Sequence, residues 1–403
     1  MVCYLLVCYL LVILFGICTF AKTVMMKTPF TFGKIVHDND FTNRKKETKK
    51  LVSNFNSSVN TILISPRRWG KSSLVLKAAN VVKKKNKKIR FCFIDLNNVR
   101  TEEQFYQQLA TEVLKASSSK VDAIIGNAKK FMGRFIPNVT FSPDQISDIK
   151  LSLDWKEVKK SPDDILGMAE KISATGNIQL VICIDEFQNI SNFEHPLDFQ
   201  KKLRAHWQLH QHVTYCLYGS KRHMMMDVFT SPSMPFYKFG DIIFLEKISV
   251  NDWITFIQKR FSDTKKEIEK SEASLIPELV ECHPYYVQQL AQQAWLRTDQ
   301  ICTEAIIHEA FEDLLLQLSM LFQALIDGLS NSQVNLLKAL ICNEQHLSSQ
   351  NVLKEYQLGT SANVSKIKKV LFNNEIIDIQ SDRITFIDPL YKFWLKKYYF
   401  KLS

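Results

Sequence analysis

The sequence predicts an α/β protein: a parallel sheet covered by helices on both faces, then an almost wholly helical segment, then a small helix–helix–hairpin module. Three observations carry this. Between residues 29 and 248, continuous apolar runs of strand length alternate with amphipathic stretches of helical period, the pattern of strands buried on both faces. One such run, Thr61 to Ile64, leads through a short loop into Gly70-Lys71-Ser72 and a further amphipathic stretch. After residue 248 the helical period takes over to about residue 345, and two short helical stripes then precede two alternating runs.

Taken in order, residues 29–43 are irregular, with Pro29 and Gly33 among them. "NRKKETKKLVSNF" reads as a helix with Asn43 as its N-cap. The strand 61–64, the loop and a helix from Lys71 to about Val82 follow, then the strand "IRFCFIDL" (89–96) and a helix over 102–116. Residues 117–160 are less regular, and "NVTFSPDQISDIKLSLDW" alternates like an edge hairpin. A helix over 162–173 precedes the strand "IQLVICIDEF"; the helix "DFQKKLRAHWQLH" leads to the strand "VTYCLYGS". The expected division is a hydrophobic segment at 1–24, a sheet domain at 29–248, a helical domain at 249–330 and a C-terminal module at 331–403.

The 403 residues, 46% hydrophobic and 23% charged, supply an ordinary globular core. The formal net charge of +11 favours anionic partners without naming one. Much of the excess lies in runs such as "KKKNKK" (83–88), which reads as a solvated helix end. The nine cysteines show no paired spacing, so neither a disulfide framework nor a zinc site is indicated, and the chain reads as reduced and intracellular. Cys92, Cys183 and Cys216 fall in strand-like runs, where cysteine acts as a small hydrophobe. Residues 1–21 carry no charge and are long enough to span a bilayer, but lack a basic leader region. Two readings stand: a membrane anchor with the remainder in the cytoplasm, or a start upstream of the true one at Met25 or Met26. The second is favoured because patterned sequence begins just after those methionines, which places the protein in the cytoplasm.

Gly-Lys-Ser gains meaning from its context. A loop at a helix N-terminus aims several backbone N–H groups at one spot, with the positive end of the helix dipole behind them. Such a loop usually opens with a glycine four residues before Gly-Lys-Ser; here Ser65 stands in that place, with Pro66 restraining the same turn. The donors closest to a bound phosphate come later, from Arg68, Trp69, Gly70, Lys71, Ser72 and Ser73. Lys71 reaches the β- and γ-phosphates of a nucleotide, and the Ser72 hydroxyl binds Mg²⁺. The other half of such a site is an acid ending a neighbouring buried strand. "LVICIDE" (180–186) supplies it: Asp185 to hold the metal and Glu186 to orient or deprotonate the attacking water. Asp95 ends another strand but lacks a second acid and reads as a strand-terminal polar residue. Ser220, ending "VTYCLYGS", lies beside the γ-phosphate if that strand neighbours the one ending at Asp185.

These residues resemble the archaeal-type ATPase family, within the STAND branch of the AAA+-like P-loop NTPases. The resemblance covers nearly all of 29–400 and is carried by "FTNRKKE", "SPRRWGKSS", "VICIDEFQNI", "YGSKRHMM", "PFYKFGDIIFLEKIS", "HPYYVQQLAQQAW" and "DPLYKFWLKKY". It implies a nucleotide-binding sheet domain, a helical lid, a C-terminal winged helix, and ATP rather than GTP. It also implies a nucleotide contact for His283, although Val287, Leu290, Ala291, Ala294 and Trp295 make the following helix read first as core. One departure stands out. Relatives often carry an arginine in the "YKFG" segment, a trans-acting finger by resemblance; here Lys238 replaces it, and lysine lacks the planar fork. Arg222 is a loose substitute.

In the last module, Val352, Leu353 and Tyr356 share a helix face that Leu358 closes, and Gly359 makes the turn. Val364, Ile367, Val370 and Leu371 form the second stripe, and the two alternating runs meet at Ser381-Asp382 as a wing. The second helix offers Lys366, Lys368 and Lys369, with Ser361 and Asn363 near its start. Lysines there suit phosphate contact more than base readout, and such modules also bind proteins, so both partners stay open. The expected partners are ATP, DNA or a protein through this module, and further copies of the chain; a membrane enters only if residues 1–21 are retained. Two functional readings follow: an Mg²⁺-dependent ATPase that switches lid and winged helix, or a nucleotide-gated DNA- or protein-binding regulator with little turnover.

Overall fold

Among the described residues, seven strands and the helices between them build the first part of the chain: β1 (Thr61–Ile64), β2 (Ile89–Asp95), β3 (Asn138–Thr140), β4 (Lys150–Ser152), β5 (Gln179–Asp185), β6 (Val213–Gly219) and β7 (Asp241–Phe244). The computed structural model describes residues 28–36, 40–118, 121–132, 138–140, 150–152, 154–160, 162–380 and 383–402. The N-terminal hydrophobic segment and the Ser381-Asp382 turn lie outside them. Among the described residues no helix is long and apolar enough to cross a membrane.

The main sheet has the order β2-β5-β6-β1-β7, and every neighbouring pair is parallel. Every residue of β1 and β6 is buried, which explains why these strands read as unbroken apolar runs. Helices Lys45–Asn56 and Lys71–Lys85 cover one face through Leu51, Phe55, Leu74, Val75, Ala78 and Val82. Helices Glu102–Ser117, Met168–Gly176 and Pro196–Trp207 cover the other through Phe105, Leu109, Ile172, Phe199 and Leu203. Trp207 stacks on Tyr215 of β6 at 4.1 Å between ring centroids. Burying an aromatic or large aliphatic side chain here stabilises by about 1.5–3 kcal/mol. Because β6 lies between β1 and β5, the loop after β1, the acids after β5 and the end of β6 meet at one edge of the sheet, the usual place for a site in such a fold.

Several elements differ from expectation. The first helix starts at Lys45 with Arg44, not Asn43, at the N-cap. Arg44 is buried with φ 60°, drawn in because its Nη1 donates to the Glu246 carbonyl at 2.6 Å and to Glu47 at 3.0 Å. Asn43 instead donates to Asp252 at 2.7 Å. The helix expected over 162–173 is two, Pro162–Leu166 and Met168–Gly176, broken at Gly167. The β3–β4 pair is antiparallel, as its alternation implied, but forms a sheet of its own rather than an edge of the main one.

Gly240 marks where β7 joins the sheet. A Cβ there would lie 2.3 Å from the Asn60 carbonyl oxygen, next to the bond that Asp241 N–H donates to that oxygen at 2.8 Å. The obstacle is backbone and gives way only if the edge strand shifts. Gly240→Ala should therefore destabilise the protein by about 2–3 kcal/mol, read as a lower urea midpoint at unchanged slope. A midpoint equal to wild type would show that β7 slides freely.

The helices Val250–Ser262, Lys270–Leu279, Pro284–Arg297 and Glu304–Asp327 share one contiguous core with the C-terminal module, from Trp253 and Ile257 through Leu290 and Leu314 to Leu336, Leu371 and Trp394. The expected division at residue 330 is a turn between helices; the core runs across it. The C-terminal module comprises helices Asn331–Ile341, Gln350–Glu355 and Ser361–Asn373 and the antiparallel hairpin Ile377–Gln380/Arg383–Phe386. Val364, Ile367 and Leu371 are buried as expected, but Val370 is exposed, one residue off the buried stripe.

Candidate functional site

The loop between β1 and helix Lys71–Lys85 reverses at two left-handed residues, Arg68 (φ 64°) and Gly70 (φ 88°). Ser65 is buried, and its hydroxyl donates to the Pro66 carbonyl at 3.2 Å. Serine is tolerated at this position because the reversal is made further on. Arg68 holds a conformation that costs a non-glycine residue about 1–2 kcal/mol, and its guanidinium lies 4.6 Å from the Tyr285 ring, a cation–π contact that offsets part of it. The helix then begins at Lys71 with Gly70 as N-cap and no side chain closing its end, so its first N–H groups face outward at the sheet edge.

Lys71 is nearly fully buried; burial lowers its pKa, while Glu186 and Asp185 act to keep its charge. Ser72 Oγ donates to Asp185 Oδ2 at 2.5 Å. Burial pushes the Asp185 carboxyl up to about 6 despite the Ser72 bond and Lys71. Glu186 leaves the strand in a left-handed conformation, φ 51°, which turns its carboxylate away from the strand line at a cost of order 1–3 kcal/mol. Its Oε2 accepts from Ser220 Oγ at 2.8 Å, Ser220 N–H at 3.2 Å and Gln188 Nε2 at 2.5 Å. Burial raises its pKa, but Lys71 and these donors outweigh that and leave it below the usual value. Loop, acids and Ser220 therefore form one charged cluster, as the adjacency of β5 and β6 required.

Beside the loop opens a cavity of about 470 Å³. Its walls are the loop itself from Arg68 to Ser73, residues 31–36, 40–42 and 44 ahead of it, and Trp253, Tyr285 and Gln288 of the helical part. Besides the Asn43 and Arg44 bonds above and an Arg260–Asp40 pair at 3.0 Å, Ser73 Oγ accepts from Val36 N–H at 2.9 Å and Gln288 Oε1 accepts from Thr31 N–H at 3.1 Å. Ser73 thus spends its hydroxyl on the wall, leaving its N–H for a ligand.

Other expected residues fall elsewhere. His283 stands behind Trp69, rings edge-to-face at 6.5 Å, and lines the two neighbouring cavities rather than this one. Burial, with Lys247 and Arg68 nearby, drives its pKa down to about 3, so it is neutral. Its Nδ1 and the Trp69 Nε1 are buried without a partner. Asp95 pairs with Asp185 across the strands but accepts from Asn97 N–H at 2.9 Å, a turn-closing role. Lys238 precedes β7, at the strand edge opposite the loop. Arg222 pairs with Asp378 of the C-terminal hairpin at 3.4 Å. Lys366 and Lys369 are exposed and Lys368 half-buried, while Asn363 Nδ2 is engaged by the Leu358 carbonyl at 2.8 Å.

Sequence reasoning missed Gln188 and Gln288, which leave no local signal, and it read Gly219 with Ser220 as the end of a strand without the reason for a glycine there. A Cβ at Gly219 would lie 1.9 Å from Gln188 Oε1, so the glycine makes room for the amide that grips Glu186.

A family profile described as "Probable winged helix domain" matches residues 320–397. No curated protein sequence matches the chain. Among solved structures it is similar to a Walker-type ATPase of Pyrococcus abyssi, at 16% identity over 91% of this chain and 99% of that one, with a TM-score of 0.65. It is also similar to the ORC2 protein of Aeropyrum pernix, solved as ADPNP and ADP complexes, at 14% identity over 91% and 96% of the two chains, with a TM-score of 0.51. The chain thus has the α/β fold of P-loop ATPases, with a winged helix at its C-terminal end.

Proposed function

We propose that the protein binds MgATP, hydrolyses it, and uses the cycle to switch the arrangement of its helical lid and winged helix. The observation that carries this reading is the Ser72–Asp185 contact, in which residues 113 apart in sequence meet at 2.5 Å beside a buried lysine. A hydroxyl and a carboxylate are the oxygen donors Mg²⁺ favours, so Ser72 and Asp185 would hold it; the ion would neutralise phosphate charge. Lys71 and the outward N–H groups of Arg68 to Ser73 bind the phosphates. Glu186, ionised and next in sequence to the metal-holding acid, takes the proton of the attacking water, and Ser220 reaches the γ-phosphate. The cavity beside the loop has the size of a small-molecule site and offers Phe41, Trp253 and Tyr285 to a base. Adenine is supported by the ADPNP and ADP complexes of the Aeropyrum protein.

The switch rests on contacts that run from the end of β6 into the C-terminal module. Ser220 is followed two residues later by Arg222, which pairs with Asp378, and the His223 ring lies 4.9 Å from that of Phe372. On the lid side, Tyr286 donates to Asp388 at 2.6 Å and Lys392 pairs with Glu281 at 2.8 Å. A change at Ser220 is thereby felt at the winged helix. The second reading, a nucleotide-gated regulator with little turnover, is favoured by one feature: three donors already occupy Glu186 Oε2. In it, Lys366, Lys368 and Lys369 serve the DNA or protein partner. Phosphate release from ATP by the full chain, with Mg²⁺ and with EDTA, tests the first reading. It expects steady turnover that EDTA abolishes; binding without turnover would hand the site to the second.

A further inference from the structure

The charge of this protein is not spread over it. Residues 41–94 hold fifteen lysines and arginines against a single acid, Glu47, whereas the whole chain nets +11, so the remainder is slightly acidic. Some of these cations belong to the nucleotide loop. Most of the others lie on helices Lys45–Asn56 and Lys71–Lys85, which lie together over one face of the sheet.

Both helices run antiparallel to β1, one entering it and one leaving it, so their starts lie at the loop edge and their ends at the opposite edge. Lys45, Lys46 and Lys49 are exposed near the start of the first helix. Lys83, Lys84 and Lys85 are exposed at the end of the second, and Lys87 and Lys88 follow them. At 1.5 Å per residue the 15-residue helix separates the two groups by about 20 Å, about six base-pair steps of a duplex.

A merely solvated face mixes both signs of charge. Here Glu47 is engaged by Arg44, and Asp241, at the neighbouring strand, is engaged by Lys50. Lysines in the first turn of a helix also oppose its dipole, so Lys45 and Lys46 are not there for the helix's own sake. Between the groups stand short polar side chains such as Ser53, Asn56 and Asn80, all exposed. Val59 is the exposed large apolar side chain of the region. A membrane-binding face needs an apolar wedge beside its cations; a phosphate-tracking face does not.

We propose that this two-helix face binds duplex nucleic acid through its phosphate backbone, without base readout. It is distinct from the second helix of the winged module, and the inference is independent of how the nucleotide site is read. With lysines and no arginine fork among the exposed groups, contacts are point charges to phosphate and sequence-tolerant.

The test is fluorescence anisotropy of a 30-base-pair mixed-sequence DNA duplex with the full chain, titrated between 50 and 200 mM salt. Three variants are compared: Lys45, Lys46 and Lys49 changed to glutamine; Lys83, Lys84, Lys85, Lys87 and Lys88 changed to glutamine; and Lys366, Lys368 and Lys369 changed to glutamine. Each helical-face variant is expected to lose more than tenfold in affinity at 100 mM salt. Its log K–log salt slope should fall by about 0.9 per phosphate contact removed, with an unchanged thermal midpoint. Helical-face variants that bind like wild type overturn the proposal, whatever the winged-helix variant does. So does a wild type that ignores the duplex at 50 mM salt, including one that binds phosphatidylserine vesicles instead.

Discussion

Lys71→Ala should abolish MgATP binding at any concentration near the wild-type Kd and leave the fold intact. A charge-assisted bond to phosphate contributes about 1.5–3 kcal/mol, so Kd should rise about 100-fold, about 2.7 kcal/mol. The fold does not depend on this cation. Burial works against its charge, and the helix it opens is held by Leu74, Val75 and Ala78 further along. Losing it leaves Asp185 and Glu186 facing each other without their counter-charge, but each keeps its own donors: Ser72 for the first, Ser220 and Gln188 for the second. Isothermal titration with a non-hydrolysable ATP analogue, paired with a urea melt, separates the two effects. Retained affinity would mean that the loop holds phosphate through backbone N–H groups alone. A collapsed urea midpoint would mean that Lys71 is structural.

The same cluster shows which parts of the molecule can be read from sequence. Strands buried on both faces are apolar without alternation, so β1, β5 and β6 stood out, and a glycine–lysine–serine step between strand and helix is tied to one geometry. Ser220 was tied to the site on the condition that its strand neighbour the one ending at Asp185; β6 does pair with β5, an adjacency no local pattern reveals. What escaped was long-range or irregular. The cavity wall formed by residues 31–36, 40–42 and 44 has no period to detect, and Ser73 and Gln288, which help to anchor it, are ordinary polar residues on helices. The Arg222–Asp378 pair joins residues 156 apart. Strand direction, which no local pattern reveals, puts Lys238 at the far edge of the sheet from Lys71, where it cannot serve its own site. Nor does any local pattern show that the helical part and the winged helix share a core, since each helix carries its own apolar stripe whichever neighbour buries it.

Glu186→Gln should lower turnover by about 10²–10⁴-fold, the usual contribution of a positioned base, while ATP affinity stays within a few-fold of wild type. Glutamine keeps the size and still accepts from Ser220 and Gln188, so the left-handed turn at residue 186 survives; only the ability to take a proton is lost. The outcome discriminates because of the three donors on Oε2. If bound nucleotide draws Ser220 toward the γ-phosphate, two of those bonds are released together, since both N–H and Oγ belong to that residue, and the carboxylate turns to water. Hydrolysis is then coupled to a movement of the β6 end, and through Arg222 to the winged helix. If the three bonds persist with ATP bound, Glu186 never becomes a base, wild type and Glu186→Gln release phosphate at the same slow rate, and the protein is a switch read by occupancy. Single-turnover rates for the two proteins, measured with saturating MgATP, decide between these.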